Sequence, residues 1–153
     1  MIKVIAIDKI KEKSIKSAID TYLERLEGRL KIELIEVSPA KYHTIDSIEK
    51  AKDIEAVRIL EKVNNQSLVV ALDEKGCQFA SHEFSDFIYS SLNHKHINFI
   101  IGGAYGLSSD ILNRANKIIS LSKMTFTHEM VRLFLVEQVY RAYTINNNIK
   151  YHH

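Results

Sequence analysis

Ile97-Asn98-Phe99-Ile100-Ile101-Gly102-Gly103-Ala104-Tyr105-Gly106 decides the fold. A short apolar run, read as a strand buried on both faces, runs straight into three of the chain's five glycines. In open α/β sheets ligands lie beyond the carboxyl ends of the strands, and glycine there gives positive φ or close approach. Outward from this stretch, strands and helices alternate. Upstream, Ile2–Ile7 reads as a strand, and Ile15, Ala18, Ile19, Tyr22, Leu23 and Leu26 keep helical spacing up to a stop at Gly28. Leu30–Val37 reads as a strand, residues 38–44 as a loop around Pro39, and Ile48–Val63 as a helix. Ser67–Asp73 is a buried strand, Asp73–Gly76 a turn, and Ser81 the cap of a helix carrying Phe84, Phe87, Ile88 and Leu92. Downstream come a short helix from Ser108, a strand at Ile118–Leu121, and a last helix from near Thr127 to about Asn146. This alternation predicts an α/β fold with a largely parallel sheet flanked by helices, residues 1–153 forming one domain.

Composition narrows the class. With 46% apolar and 26% charged residues, the chain is neither disordered nor low-complexity. Apolar runs such as Leu68–Leu72 are too short to span a bilayer, and Met1–Asp8 is too short and too soon acidic for a signal peptide. One cysteine, Cys77, excludes an internal disulfide and a multi-cysteine zinc site, so a cytoplasmic chain without a membrane partner is expected. A net charge of +2 is far from a polybasic DNA binder, so a nucleic-acid substrate would be held largely by local geometry. His82, His94 and His96 are scattered without a ligand spacing and read as surface; no metal is expected.

In the last helix Met130, Val131, Leu133, Phe134, Leu135, Val136, Val139 and Tyr140 cover more than one stripe. A helix apolar nearly all round is buried on several sides. One face would meet the sheet and another a second copy in a symmetric homodimer, with Phe134, Leu135 and Val136 pointing three ways. The alternative is a helix central to a monomeric core.

For Gly102, Gly103 and Gly106 two readings stand: a nucleotide or nucleoside cofactor site, or an ordinary tight turn. The spacing is not G-x-G-x-x-G, and no Gly-Lys-Ser/Thr P-loop occurs. The strand end Leu121-Ser122-Lys123 offers no carboxylate for a ribose. A site built from backbone, lacking an acid and a phosphate clamp, suits a cofactor without phosphates, such as S-adenosylmethionine.

Residues 121–153 hold most of the remaining chemistry. His128 and Arg132 share a helix face, as do Glu137 and Arg141. Glu137 reads as a helix ion pair. Arg141, within Tyr140-Arg141-Ala142-Tyr143, reads as functional, because aromatics beside arginine suit a stacked base and a held phosphate. The chain closes on Tyr151-His152-His153.

Taken together, Ile100–Ser108, Ser120–Phe126 with His128, Val139–Ala142 and the terminal Tyr151-His152 resemble the RlmH family, large-subunit ribosomal RNA methyltransferases of the SPOUT class. The resemblance covers the whole chain and is most specific in its C-terminal half. It implies a C-terminal trefoil knot holding S-adenosylmethionine, an active homodimer, and methylation of N3 of a pseudouridine in the large-subunit rRNA of the assembled ribosome. Cofactor contacts would fall on Leu72, Gly102, Gly103, Gly106, Leu121, Ser122, Lys123, Met124, Thr125 and Phe126. The target base would be handled by His128, Arg132, Tyr140, Arg141, Tyr151 and His152. The chain departs from the family pattern at Thr127, where proline is frequent, at Asp8, where glycine is common, and at the closing His153.

A methyl on a sulfonium already has a good leaving group, so in-line placement and a nucleophilic nitrogen suffice. The imide N3 must lose a proton, for which His128 or His152 is the candidate base; Arg132 or Arg141 would stabilise charge spreading to the flanking carbonyl oxygens. Two rivals are a SPOUT-like methyltransferase acting on another RNA and a ribosome-binding factor without catalysis.

Overall fold

The structure, a computed structural model, describes residues 1–41, 44, 47–64, 66–93 and 95–152. His94 and His153, and Tyr42 and His43 of the expected loop, lie outside the described residues. Five strands, β1 (Ile2–Ile7), β2 (Ile32–Val37), β3 (Leu68–Cys77), β4 (Ile97–Ile101) and β5 (Lys117–Ile119), form one sheet in the order β2-β1-β4-β3-β5. Every neighbouring pair is parallel. The helices are α1 (Lys13–Leu26), α2 (Ile48–Leu60), α3 (Ser81–Leu92), α4 (Ser109–Arg114) and α5 (His128–Asn146).

Alternating strand residues feed two cores. Ile2, Val4, Ala6, Ile97, Phe99 and Ile101 pack with Leu26 of α1, Phe84 and Ile88 of α3, and Leu135, Val139 and Ala142 of α5. Ile5, Ile7, Val69, Ala71 and Ile100 pack with Ala56 and Ile59 of α2 and Ile111 of α4. Burial on both faces explains why β3 and β4 read as continuous apolar runs. The expected α/β architecture is borne out, with the strand carboxyl ends gathered along one edge.

Several boundaries differ from expectation. Asp73–Gly76 is not a free turn. It lies inside β3, whose residues Val70, Ala71 and Leu72 pair with Lys117, Ile118 and Ile119 before the register shifts and Cys77 also faces Ile119. Four residues thus bulge from an otherwise paired strand, which hydropathy cannot distinguish from a turn. β2 begins at Ile32 rather than Leu30, α2 ends at Leu60, and β5 ends at Ile119 rather than Leu121. Ser81 is the first residue of α3, not its cap. The cap is Ala80, whose N–H donates to the Glu83 carboxylate at 2.7 Å. Ser108 and Thr127, near which the two helices were expected to start, cap α4 and α5 through their hydroxyls.

The apolar girth of α5 has an internal explanation as well. It touches α1 on one side, α3 on the other, and β1 and β4 beneath. Leu135 and Val136 are fully buried within the chain, whereas Phe134 is partly exposed. Of the three residues read as pointing three ways, Leu135 and Val136 are covered within the chain, and Phe134 is left to face outward.

Candidate active site

All five strands point their carboxyl ends the same way, and an open cleft of about 980 Å³ lies beyond β3, β4 and β5. Its floor is Leu72, Ile101 and Ile119, the last core residues of those strands, with Ile15 and Val131 from α1 and α5. The walls are the glycine loop 102–106, the bulge 73–75 and the segment 120–127. Of the expected cofactor residues Leu72, Gly102, Gly103, Gly106, Leu121, Ser122, Met124, Thr125 and Phe126 line the cleft, and Lys123 does not.

The glycine loop closes on itself. The Gly106 N–H donates to the Gly103 carbonyl at 3.1 Å, and Gly106 has φ of +76°. A Cβ on Gly102 would meet the Gly106 carbonyl carbon at 2.6 Å, so this position admits no side chain. A Cβ on Gly103 would meet Ile7 at 3.2 Å and Glu55 at 3.8 Å, so a side chain there would press on the protein's own residues. The glycines shape the wall by self-approach, and backbone is what the wall offers.

Opposite, serine side chains organise segment 120–127. The Ser120 hydroxyl donates to the Ser122 carbonyl at 2.6 Å, and the Met124 N–H donates to the Ser122 hydroxyl at 3.0 Å. The Ser120 N–H reaches the Cys77 carbonyl at 2.8 Å, and Thr125 donates to Glu74 at 3.3 Å. These bonds tie the segment to the β3 bulge. The absence of acids expected from Leu121–Lys123 does not extend to the cleft as a whole. Glu12, Asp73, Glu74 and Glu129 line it against one lysine, Lys75, among the described lining residues. Sequence reasoning missed them because Glu12 lies far away along the chain, Asp73 and Glu74 were read as a turn, and Glu129 lies past the strand end in the first turn of α5.

His128 lies at the rim, in the first turn of α5. Burial pushes its imidazole below its ordinary value, and the Arg132 charge adds to this. Arg132 faces away from the cleft. It is 2% exposed, donates from Nη2 to the Ile7 carbonyl at 2.5 Å, and stands 3.8 Å from the Glu36 carboxylate. Among the described residues, His128 Nε2 and Arg132 Nε and Nη1 have no hydrogen-bond partner. Glu129 caps the other side, accepting from the N–H groups of Lys11 and Glu12 at 3.2 and 3.1 Å.

The remaining expected residues form a second cluster at the far end of α5. Beyond Asn146 the chain reverses through Asn148, at φ +54°, and the Ile149 N–H returns to the Thr144 carbonyl. Tyr151 thereby reaches Glu137, donating at 3.1 Å, while Arg141 Nη2 donates to the same carboxylate oxygen at 2.5 Å. The Arg141 guanidinium lies 4.8 Å from the Tyr151 ring centroid, and its Nη1 is 3.2 Å from His152 Nδ1. Tyr140 meets Tyr151 edge-on at 4.9 Å, and Arg25 of α1 covers Tyr140 at 5.5 Å. Burial, with hydrogen bonds to Tyr22 and Glu137, pushes the Tyr151 phenol above its ordinary range. None of these residues lines the cleft. The ion pair read for Glu137 is present, and the tail contact was invisible because it spans a chain reversal.

A family profile described as "Predicted SPOUT methyltransferase" matches residues 1–152. The chain belongs to the SPOUT methyltransferase family. It is therefore a methyltransferase and needs a methyl donor. Similar SPOUT chains include the proteins named "Ribosomal RNA large subunit methyltransferase H" from Christiangramia forsetii and Clostridium botulinum, each 44% identical over 99% of this chain and 98% of the relative. That from Bacillus thuringiensis is 39% identical with the same coverage. Among solved structures, a probable methylase family protein from Haemophilus influenzae aligns with a TM-score of 0.65 at 16% identity, over 99% of this chain and 70% of that one. A probable methyltransferase from Bordetella pertussis gives 0.60 at 12%, over 93% of each. At such identities the solved structures speak for the SPOUT fold alone.

Proposed function

We propose that this chain transfers a methyl group from S-adenosylmethionine to N3 of a pseudouridine in the large-subunit rRNA of the assembled ribosome, acting as a homodimer in the cytoplasm. The observation that carries the reading is the 44% identity, across 99% of this chain, to proteins named for large-subunit rRNA methylation. Among the described residues no helix is long and apolar enough to cross a membrane.

The cleft fits the cofactor. Four carboxylates against one lysine favour a cationic ligand and disfavour a polyphosphate, while the floor of Leu72, Ile101 and Ile119 suits a purine. Gly102, Gly103, Gly106 and Leu121–Phe126 would hold it largely by backbone, with Lys123 at the outer edge. When bound, S-adenosylmethionine supplies a methyl group on a sulfonium leaving group. His128 at the rim, its imidazole pushed below its ordinary value by burial, would take the imide proton. Arg132 supports it from behind by locking α5 to the end of β1.

The second cluster lies toward the other end of α5, a helix of about 28 Å at the standard rise. A second copy, packed antiparallel along α5, would bring Tyr140, Arg141, Tyr151 and His152 of one protomer to the cleft of the other. Met124, 71% exposed, and Phe126 beside Phe134 support a covered face at the rim. The reading includes the family's C-terminal trefoil knot; the bonds from Ser120 to Cys77 and from Thr125 to Glu74, which hold segment 120–127 against the β3 bulge, are compatible with it.

The test is methyl transfer from labelled S-adenosylmethionine to assembled ribosomes, free rRNA and tRNA. Label on ribosomal large-subunit RNA alone is the expected result. Label on tRNA, or none with any RNA, would overturn the reading.

A further inference from the structure

Glu137 is joined to more groups than a surface ion pair needs. Its Oε1 accepts from Arg141 and from Tyr151, and its Oε2 accepts from Gln138 Nε2 at 2.7 Å. Arg141 in turn touches His152. A guanidinium carries donors and no acceptor. Across the 3.2 Å contact between Arg141 Nη1 and His152 Nδ1, the imidazole nitrogen must therefore be the acceptor. An imidazole accepting at Nδ1 carries its proton on Nε2. The His82 ring, edge-on to His152 at 4.9 Å, holds the ring plane from the other side.

We propose that Glu137 is a positioning residue for methyl transfer: it orients Arg141 and Tyr151, and the oriented Arg141 fixes His152 as the tautomer protonated on Nε2. His152 then presents a hydrogen-bond donor to the substrate, matched to a carbonyl oxygen of the target base. It does not present a base there. The proton from N3 goes to His128, whose imidazole burial holds below its ordinary value. The two histidines, interchangeable by residue type, are assigned opposite duties by their surroundings. This rests on the reading of the chain as an rRNA methyltransferase, but its spectroscopic arm does not need RNA.

The full-length protein is labelled with ring-15N histidine, and His152 is assigned by comparison with His152→Asn. The wild-type shifts should report a protonated Nε2 and an unprotonated Nδ1 near neutral pH. A proton on Nδ1, or on both nitrogens, would overturn the proposal whether or not ribosomes are methylated. Glu137→Ala should convert His152 to a mixture of tautomers and lower kcat about 10–100-fold, the scale of a small misplacement. Its S-adenosylmethionine affinity should stay within about twofold of wild type, since Glu137 is outside the cleft. Glu137→Gln, which keeps an acceptor, should lose less. Unchanged kcat or an unchanged tautomer in folded Glu137→Ala would contradict the proposal. Should that variant not fold, the wild-type shifts decide. Wild-type protein inactive on ribosomes would instead refute the function, leaving the tautomer result to stand or fall by itself.

Discussion

His128 and Arg132 stand one turn apart at the start of α5 with different fates. Their shared face was legible from the i, i+4 spacing. That Arg132 is spent on the Ile7 carbonyl was not, because it depends on where β1 ends in space. Burial lowers the His128 pKa, so an NMR titration should place its midpoint below the ordinary value of about 6.5. The sign follows from proton counting. Between the lowered native value and the unfolded one, the unfolded chain binds more protons, so stability rises with pH through that window. The contribution is full above the unfolded value and is lost as pH falls toward the native one. His128→Gln should flatten this dependence in urea melts; a His128 midpoint above 6.5 would contradict the account. Asp8 makes a second residue-level case. It has φ of +68°, where glycine is free of strain and Asp is tolerated, and its carboxylate pairs with Lys11 at 2.7 Å. Asp8→Ala should destabilise by about 1 kcal/mol, and Asp8→Gly by less. Equal losses in chemical denaturation would show that the backbone, despite its φ, stores no preference there.

At the scale of elements, strands buried on both faces announced themselves as apolar runs, and Thr127 announced the start of α5. The bulge in β3 stayed hidden because its residues, Asp73–Gly76, have turn composition while the pairing resumes at Cys77. That error concealed two acids of the cleft wall. α5 was read correctly as buried on several sides, but α1 and α3 supply two of those sides within one chain. Periodicity reports burial and is silent about whose atoms do the burying. Leu135 and Phe134 separate the two contributions. Leu135→Ala should cost about 2–5 kcal/mol of monomer stability, the range for a core leucine. Phe134→Asp should leave the fold intact and shift a micromolar sample from dimer to monomer in sedimentation. A Phe134→Asp protein that remains dimeric would move the interface off this face.

For the whole molecule, the expected site residues divide into two groups at opposite ends of α5. The residues expected around a cofactor were legible as a place, since all but Lys123 line one cleft. The base-handling group was legible as residues but not as a place, because Arg141, Tyr151 and His152 meet through Glu137 after a chain reversal. If the working site is shared between copies, a cleft variant such as Gly102→Val and a tail variant lacking residues 151–153 should each be inactive. Mixed and re-formed as heterodimers, they should regain a substantial fraction of activity, because one of the two sites is then whole. The tail deletion by itself should bind S-adenosylmethionine as wild type does. The most direct measurement is mass mapping of large-subunit rRNA from cells with and without this protein. The account predicts a single pseudouridine that carries a methyl group on N3 when the protein is present and lacks it when the protein is absent. Identical methylation of the large-subunit rRNA in the two samples would contradict it.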